Sequence, residues 1–124
     1  MRTILDVENT VTTRDGKLHL DPFESDNSLT MIGYGDADTD EKPSISVFDH
    51  AERQSDTKDV VQGVLDKTTL LIMHNAQHDL QWLWACGFKY EGKIYDTMLA
   101  EYVLARGLKR KLSLNDCAER YNLR

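Results

Sequence analysis

Asp6 and Glu8, two residues apart in Ile4-Leu5-Asp6-Val7-Glu8, are the side chains that first suggest chemistry. The stretch reads as a strand. Side chains alternate across a strand, so both carboxylates share a face with Ile4, while Leu5 and Val7 point the other way. Read as a buried strand, it holds two like charges that repel each other and resist loss of water. A hard divalent cation such as Mg²⁺, which takes oxygen ligands, is a natural counterweight. Read as a strand running out into solvent, the same acids need no ion. The five residues alone leave both readings open.

A third acid stands in His74-Asn75-Ala76-Gln77-His78-Asp79, directly after the apolar run Thr69 to Met73. Asp79 falls in the first turn of a helix. There the helix dipole favours negative charge, and the position lies over the C-terminal edge of a sheet, where ligands often bind. A plain N-terminal helix acid has the same pattern. Asn75 ends the strand, and its short amide suits a helix cap or the orienting of a neighbour; local sequence favours the cap. His74 and His78 superficially resemble the zinc pattern HExxH. Asn75 stands where the catalytic Glu belongs and His74 ends a strand, so zinc is set aside. His78 reads as a partly exposed neighbour of Asp79, and His19 and His50 have no visible partner. Asp96 opens a further helix, which capping explains. Lys109, Arg110 and Lys111, with Arg106 nearby, are the dense basic cluster; a solvated loop is its default reading, and contact with phosphates the other.

These residues need a scaffold. The spacing predicts a strand at Ile4 to Glu8, then a hairpin or extended loop turning at Asp15-Gly16, where both residues suit positive φ. Asp21-Pro22 starts a polar bend. Leu29 to Gly35 and Ser44 to Phe48 are further strands, so the chain opens as a three-stranded meander. Ser55 to Asp66 reads as a helix, capped by Ser55 or Asp56, with Val60, Val61, Val64 and Leu65 as its apolar stripe. Thr69 to Met73 reads as a strand buried on both faces. A helix from Gln77 to Cys86 should bury Leu80, Leu83 and Trp84 and end at Gly87. Ile94-Tyr95 is a short strand. Thr97 to Arg106 is a helix with Met98, Leu99, Tyr102, Val103 and Leu104 as core positions. Ser113 to Tyr121 is the last helix, burying Leu114, Cys117, Ala118 and Tyr121. A meander followed by strand-helix-strand indicates an α/β fold with a mixed sheet.

Composition sets the outer bounds. The 124 residues suit one domain, and the net charge of −6 argues against a basic surface for long duplex DNA. It does not argue against an enzyme on nucleic-acid ends, whose acids bring cations to meet phosphates. Part of the acidity lies in a loop from Asp36 to Glu41, read as a solvated turn. No apolar run approaches the roughly 20 residues that cross a bilayer, and no signal peptide is visible. Cys86 and Cys117 lack ligand-like spacing and read as reduced core residues of a cytoplasmic protein.

ILDVE, HNAQHDLQWL, YDTMLAEYVL and LSLNDCAERYNL, in that order, resemble the 3′→5′ proofreading exonuclease domain of family A DNA polymerases, a branch of the DEDD exonucleases. The likeness is nearest to polymerases of short-tailed phages, where NSLTMIGYG also has a counterpart. It covers nearly the whole chain. The resemblance implies a ribonuclease-H-like (DnaQ-like exonuclease) sheet flanked by helices and a two-ion Mg²⁺ or Mn²⁺ site. By position it makes Asp6, Glu8 and Asp79 catalytic metal ligands and Asp96 a supporting residue. It lays Asn9, Thr10 and Asn75 against the terminal nucleotide. Thr12 falls near the place of the family's apolar wedge. The substrate implied is a single-stranded DNA 3′ end, in the cytoplasm of an infected bacterial host.

One departure shapes the expectation. The family's fourth acid follows a Tyr or His four residues earlier, and no such pattern occurs after Asp96. The chain therefore reads as residues 1–124 of one exonuclease-like domain short of its third-motif segment and last helices. It is expected to cut weakly or not at all alone, and to expose apolar surface on the sheet or the Thr97 helix. Self-association or pairing with a downstream polymerase polypeptide follows. A non-catalytic DNA-binding or interaction module, half of a split polymerase, and a ribonuclease are the alternatives.

Overall fold

The computed structural model describes residues 1–48 and 54–123; His50, Arg124 and the side chain of Ser55 lie outside that description. Strand β1 (Arg2–Asn9) is the middle of a five-stranded sheet. It pairs antiparallel with β4 (Leu29–Asp36), which pairs antiparallel with β5 (Ser44–Val47). On its other side it pairs parallel with β6 (Leu70–Met73), which pairs parallel with β7 (Lys93–Asp96). The order is thus β5-β4-β1-β6-β7, with β4 running against the other four. That is a ribonuclease-H-like arrangement. The expected hairpin forms a separate ribbon of β2 (Thr12–Arg14) and β3 (Lys17–His19). Asp15 and Gly16 turn it with φ of 52° and 75°, as an Asp-Gly turn requires.

Helices α1 (Gln54–Lys67) and α2 (Ala76–Ala85) supply the apolar layer that covers one face of this sheet. Leu5, Val7, Ile32, Leu71 and Met73 from the strands meet Val61, Leu65, Trp82 and Leu83 from the helices in one core. A bulge between Glu8 and Asn9 skips Thr30, so Leu29 joins Ile32 on the core side. Over β1, β4 and β5 the opposite face is exposed, at Ile4, Met31, Ile45 and Val47. Consequently β1 is not buried on both sides. It alternates, with Thr3, Leu5 and Val7 inside and Ile4, Asp6 and Glu8 outside. Strand β6 alternates likewise rather than being buried on both faces.

The stripes of all four helices differ from expectation. On α2 the inner positions are Ala76, Asp79, Trp82 and Leu83, one continuous face at helical spacing. Trp82 is therefore the buried tryptophan, at 2% exposure, and Trp84 is 60% exposed. Val60 of α1 also faces solvent. Helix α3 (Thr97–Leu104) has no buried residue. Its Leu99, Tyr102, Val103 and Leu104 are 59–65% exposed, because no described element covers them. Ala105, just past the helix, is buried instead. In α4 (Leu114–Arg120) only Cys117 is fully buried, while Leu114 and Tyr121 are exposed. Both cysteines are free thiols. No helix among the described residues is long and apolar enough to cross a membrane.

Candidate active site

The C-terminal end of β1 carries the acids because β1 outruns β6: pairing with β6 covers only Arg2 to Ile4. Asp6 and Glu8 stand on the open face, opposite Gly33 and Met31 of β4. A Cβ on Gly33 would meet nothing within 4 Å, so the sheet beside Asp6 is open. Partial loss of hydration, then the neighbouring Asp6 carboxyl, raise the Glu8 carboxyl above its ordinary value.

Asp79 arrives from the helix-covered side of the same strand end. It is 2% exposed. Burial, then the charge of Asp6, push its carboxyl up to about 8; a hydrogen bond from the Val7 backbone N–H works against this, and Glu8 and Asp96 add further repulsion. Its Oδ2 is buried without a hydrogen-bond partner. No lysine or arginine contributes to holding the charge of Asp79 or Glu8. Three acids thus converge on one strand end with no cation among them. Among the described residues, no group of three His, Cys, Asp or Glu side chains is close enough to enclose a metal ion as it stands. The donor chemistry nevertheless fits a hard divalent cation: all-oxygen, anionic, and with one buried oxygen left unsatisfied.

Asp96 ties the surrounding elements. Its carboxylate accepts from the backbone N–H of Asn75 and Ala76 at the start of α2, both at 3.0 Å. It also accepts from Met98 at 2.9 Å and Leu99 at 3.3 Å at the start of α3. One side chain therefore caps two helices. Burial would raise this carboxyl, but the N–H donors outweigh it and hold the group below its ordinary value. The expected cap on α3 is present. On α2 the expectation needs correction: Asn75 occupies the cap position, with φ 67°, yet its side chain makes no capping bond. Asp96 has taken that task from across the sheet, which leaves the Asn75 amide free to face a cleft.

That cleft, about 280 Å³, is lined by Leu18, His19, Leu20, Asp21, Asn75, Gln77, His78 and Gln81. Asn9 borders it through its side chain. Asn9 Oδ1 meets His78 Nε2 at 2.9 Å, and its Nδ2 donates to the carbonyls of Thr10 and Leu20. Trp82 Nε1 donates to the same Leu20 carbonyl at 3.0 Å. Residues adjacent to two of the acids, Asn9 after Glu8 and His78 before Asp79, thus meet beside the cleft. The His78 contact and the Trp82 anchor were not read from sequence; they join positions 69 and 62 residues apart, and no local pattern announces them. Thr10 is pinned elsewhere: its N–H donates to the Ser28 carbonyl at 2.9 Å. His74 and His78 share no ligand. The ring of His74 contacts Thr97 Oγ1 at 2.9 Å and the Leu112 carbonyl at 2.6 Å.

No curated protein matches the chain. A family model described as 3′-5′ exonuclease matches residues 19–123, a span that includes Asn75, Asp79 and Asp96 and begins after Asp6 and Glu8. With the mixed sheet and with acids gathered at its central strand, the chain belongs to this 3′-5′ exonuclease family.

Proposed function

We propose that the chain is the proofreading-type 3′→5′ exonuclease unit of a family A, phage-type DNA polymerase, removing nucleoside 5′-monophosphates from single-stranded DNA 3′ ends. The observation that carries the reading is Asp79: a buried carboxyl with an unpartnered oxygen, beside two more acids and no cation. Such an arrangement is costly unless positive charge arrives with the ligand. Asp6, Glu8 and Asp79 would hold Mg²⁺ or Mn²⁺. When bound, such ions activate a water and neutralise charge on the phosphoryl group under attack. The chain's own residues do the positioning. Asp96 fixes the start of α2, and so the placing of Asp79 and Asn75. Asn9, held by His78, and the Asn75 amide face the terminal nucleotide, with Thr10 beside them.

Three carboxylates are few ligands for two hard cations, so turnover of the chain by itself is expected to be slow. The second reading, an interaction module or half of a split polymerase, is favoured by the exposed apolar residues of α3.

The test is digestion of a 5′-labelled single-stranded oligonucleotide in Mg²⁺ or Mn²⁺, with Asp79→Asn and Asp6→Ala in parallel. The expected result is stepwise shortening from the 3′ end with monophosphate release, reduced at least about 100-fold in either variant. Equal cutting by parent and variants, or cutting from the 5′ end, would overturn the proposal. An RNA strand degraded in preference to DNA would move the substrate to a ribonuclease's.

A further inference from the structure

The segment from Arg106 to Leu112 has an unusual construction for a surface loop. Its main chain is pinned while its side chains are free. It leaves the buried Ala105 through two left-handed residues, Arg106 at φ 50° and Gly107 at φ 84°, and the Leu108 N–H returns to the Ala105 carbonyl at 2.9 Å. Its far end is held twice. Arg120 Nη2 donates to the Lys111 carbonyl at 2.6 Å, with Nη1 of the same guanidinium on Glu101 at 2.7 Å. The His74 ring grips the Leu112 carbonyl. A non-glycine residue at positive φ is strained backbone, kept only where the surroundings fix it.

What this pinned backbone displays is positive charge. Arg106, Lys109, Arg110 and Lys111 are all exposed. Among the described residues none of the four makes an ion pair, whereas Arg2, Arg14 and Arg120 are each neutralised by an acid. On a chain of net charge −6, four such cations within six positions form a local field of opposite sign. The arc is also wired to the cleft. His74, which holds its end, immediately precedes Asn75, which lines the cleft. Its other ring nitrogen contacts Thr97, which follows the Asp96 clamp.

We infer that the 106–111 arc is a phosphodiester-binding guide that holds the single strand on its way to the cleft. The inference rests on the exonuclease reading for the identity of the polyanion. The chemistry it uses is general: guanidinium and ammonium groups on phosphate oxygens, without base contacts, release counterions from the strand. Pinning the backbone beforehand reduces what ordering the loop costs on binding. His74 is a positioning residue in this scheme, acting through the Leu112 carbonyl.

The experiment is fluorescence anisotropy of labelled single-stranded DNA, four and twelve nucleotides long, over a salt series in EDTA. EDTA separates binding from cutting. The full chain is compared with the triple variant Lys109→Ala/Arg110→Ala/Lys111→Ala and with the charge-keeping Lys109→Arg/Lys111→Arg. The parent should bind the twelve-mer more tightly than the four-mer. The triple variant should lose about tenfold or more on the twelve-mer at low salt, with the log–log salt slope shallower by about 2 for three lost contacts. The charge-keeping variant should retain parental binding, and so shows that charge rather than folding is being read. Parental binding and slope in the triple variant would overturn the inference while leaving the exonuclease reading intact. A parent that binds neither strand would also overturn the guide, while the exonuclease reading stands or falls on the digestion assay with its cation present. A triple variant altered in self-association but not in strand binding would assign the arc to protein contact and overturn the guide.

Discussion

At the residue scale, two aspartates carry opposite signs of charge energetics. Asp79 is held near 8 against an ordinary value of 3.8. The folded chain therefore keeps a proton on it where the unfolded chain has lost one. By linkage its contribution favours folding most below the unfolded value, falls as pH rises between the two, and is flat above about 8. Asp79→Asn should then stabilise the metal-free chain at pH 8 by roughly 1–3 kcal/mol, with little gain at pH 4. Urea melts in EDTA at both pH values check this, and a destabilised variant at pH 8 would contradict it. Asp96 runs the other way. Its carboxyl is depressed, so its contribution is present above the unfolded value and is lost as pH falls through the folded one. Asp96→Ala strips acceptors from four backbone N–H groups at two helix starts and should cost about 2–4 kcal/mol, with Asp96→Asn recovering part. A loss under about 0.5 kcal/mol in the same melts would deny Asp96 the clamp.

At the element scale, strands were more legible than the helix faces. Period-2 alternation in ILDVE and the Asp15-Gly16 turn are local signals, and the structure has the meander and hairpin they announce. Helix positions followed too, but apolar residues do not reveal which neighbour exists to bury them. In α3 the sequence YDTMLAEYVL supplies a core-like stripe that nothing described covers. In α2 two tryptophans two residues apart must point to opposite sides, and only the packing tells which is inside. The Asn75 cap failed for a similar reason, since its competitor Asp96 is 21 residues away. Asp6, Glu8 and Asp79 could be singled out by residue type, whereas the approach of Asp79 from the far side of β1 could not be read locally. The contrast in burial gives a prediction. Leu83→Ala should cost about 2–5 kcal/mol, whereas Leu104→Ala, its side chain exposed, should stay within about 0.5 kcal/mol. Equal losses in thermal or urea unfolding would mean that α3 is covered.

At the scale of the whole molecule, one face of the sheet is covered by α1 and α2, the other is exposed over β1, β4 and β5, and the acids sit at the end of the central strand between them. The open side and α3 expose Ile4, Ile45, Leu99, Tyr102, Val103 and Leu104. Surface this apolar favours association between copies of the chain. Light scattering should show a mass rising with concentration, and a constant monomer mass to high concentration would contradict it. The proposal at the centre is narrower: Asp6, Glu8 and Asp79 would together hold a cation, approached from two sides of one strand. The most direct measurement is the loss of the free Mn²⁺ electron-spin resonance signal on titrating protein into the ion at neutral pH. The account predicts that the parent takes up Mn²⁺ and that Asp6→Asn and Asp79→Asn each weaken uptake about tenfold or more, although they come from different elements. No uptake by the parent, or full uptake by both variants, would contradict it.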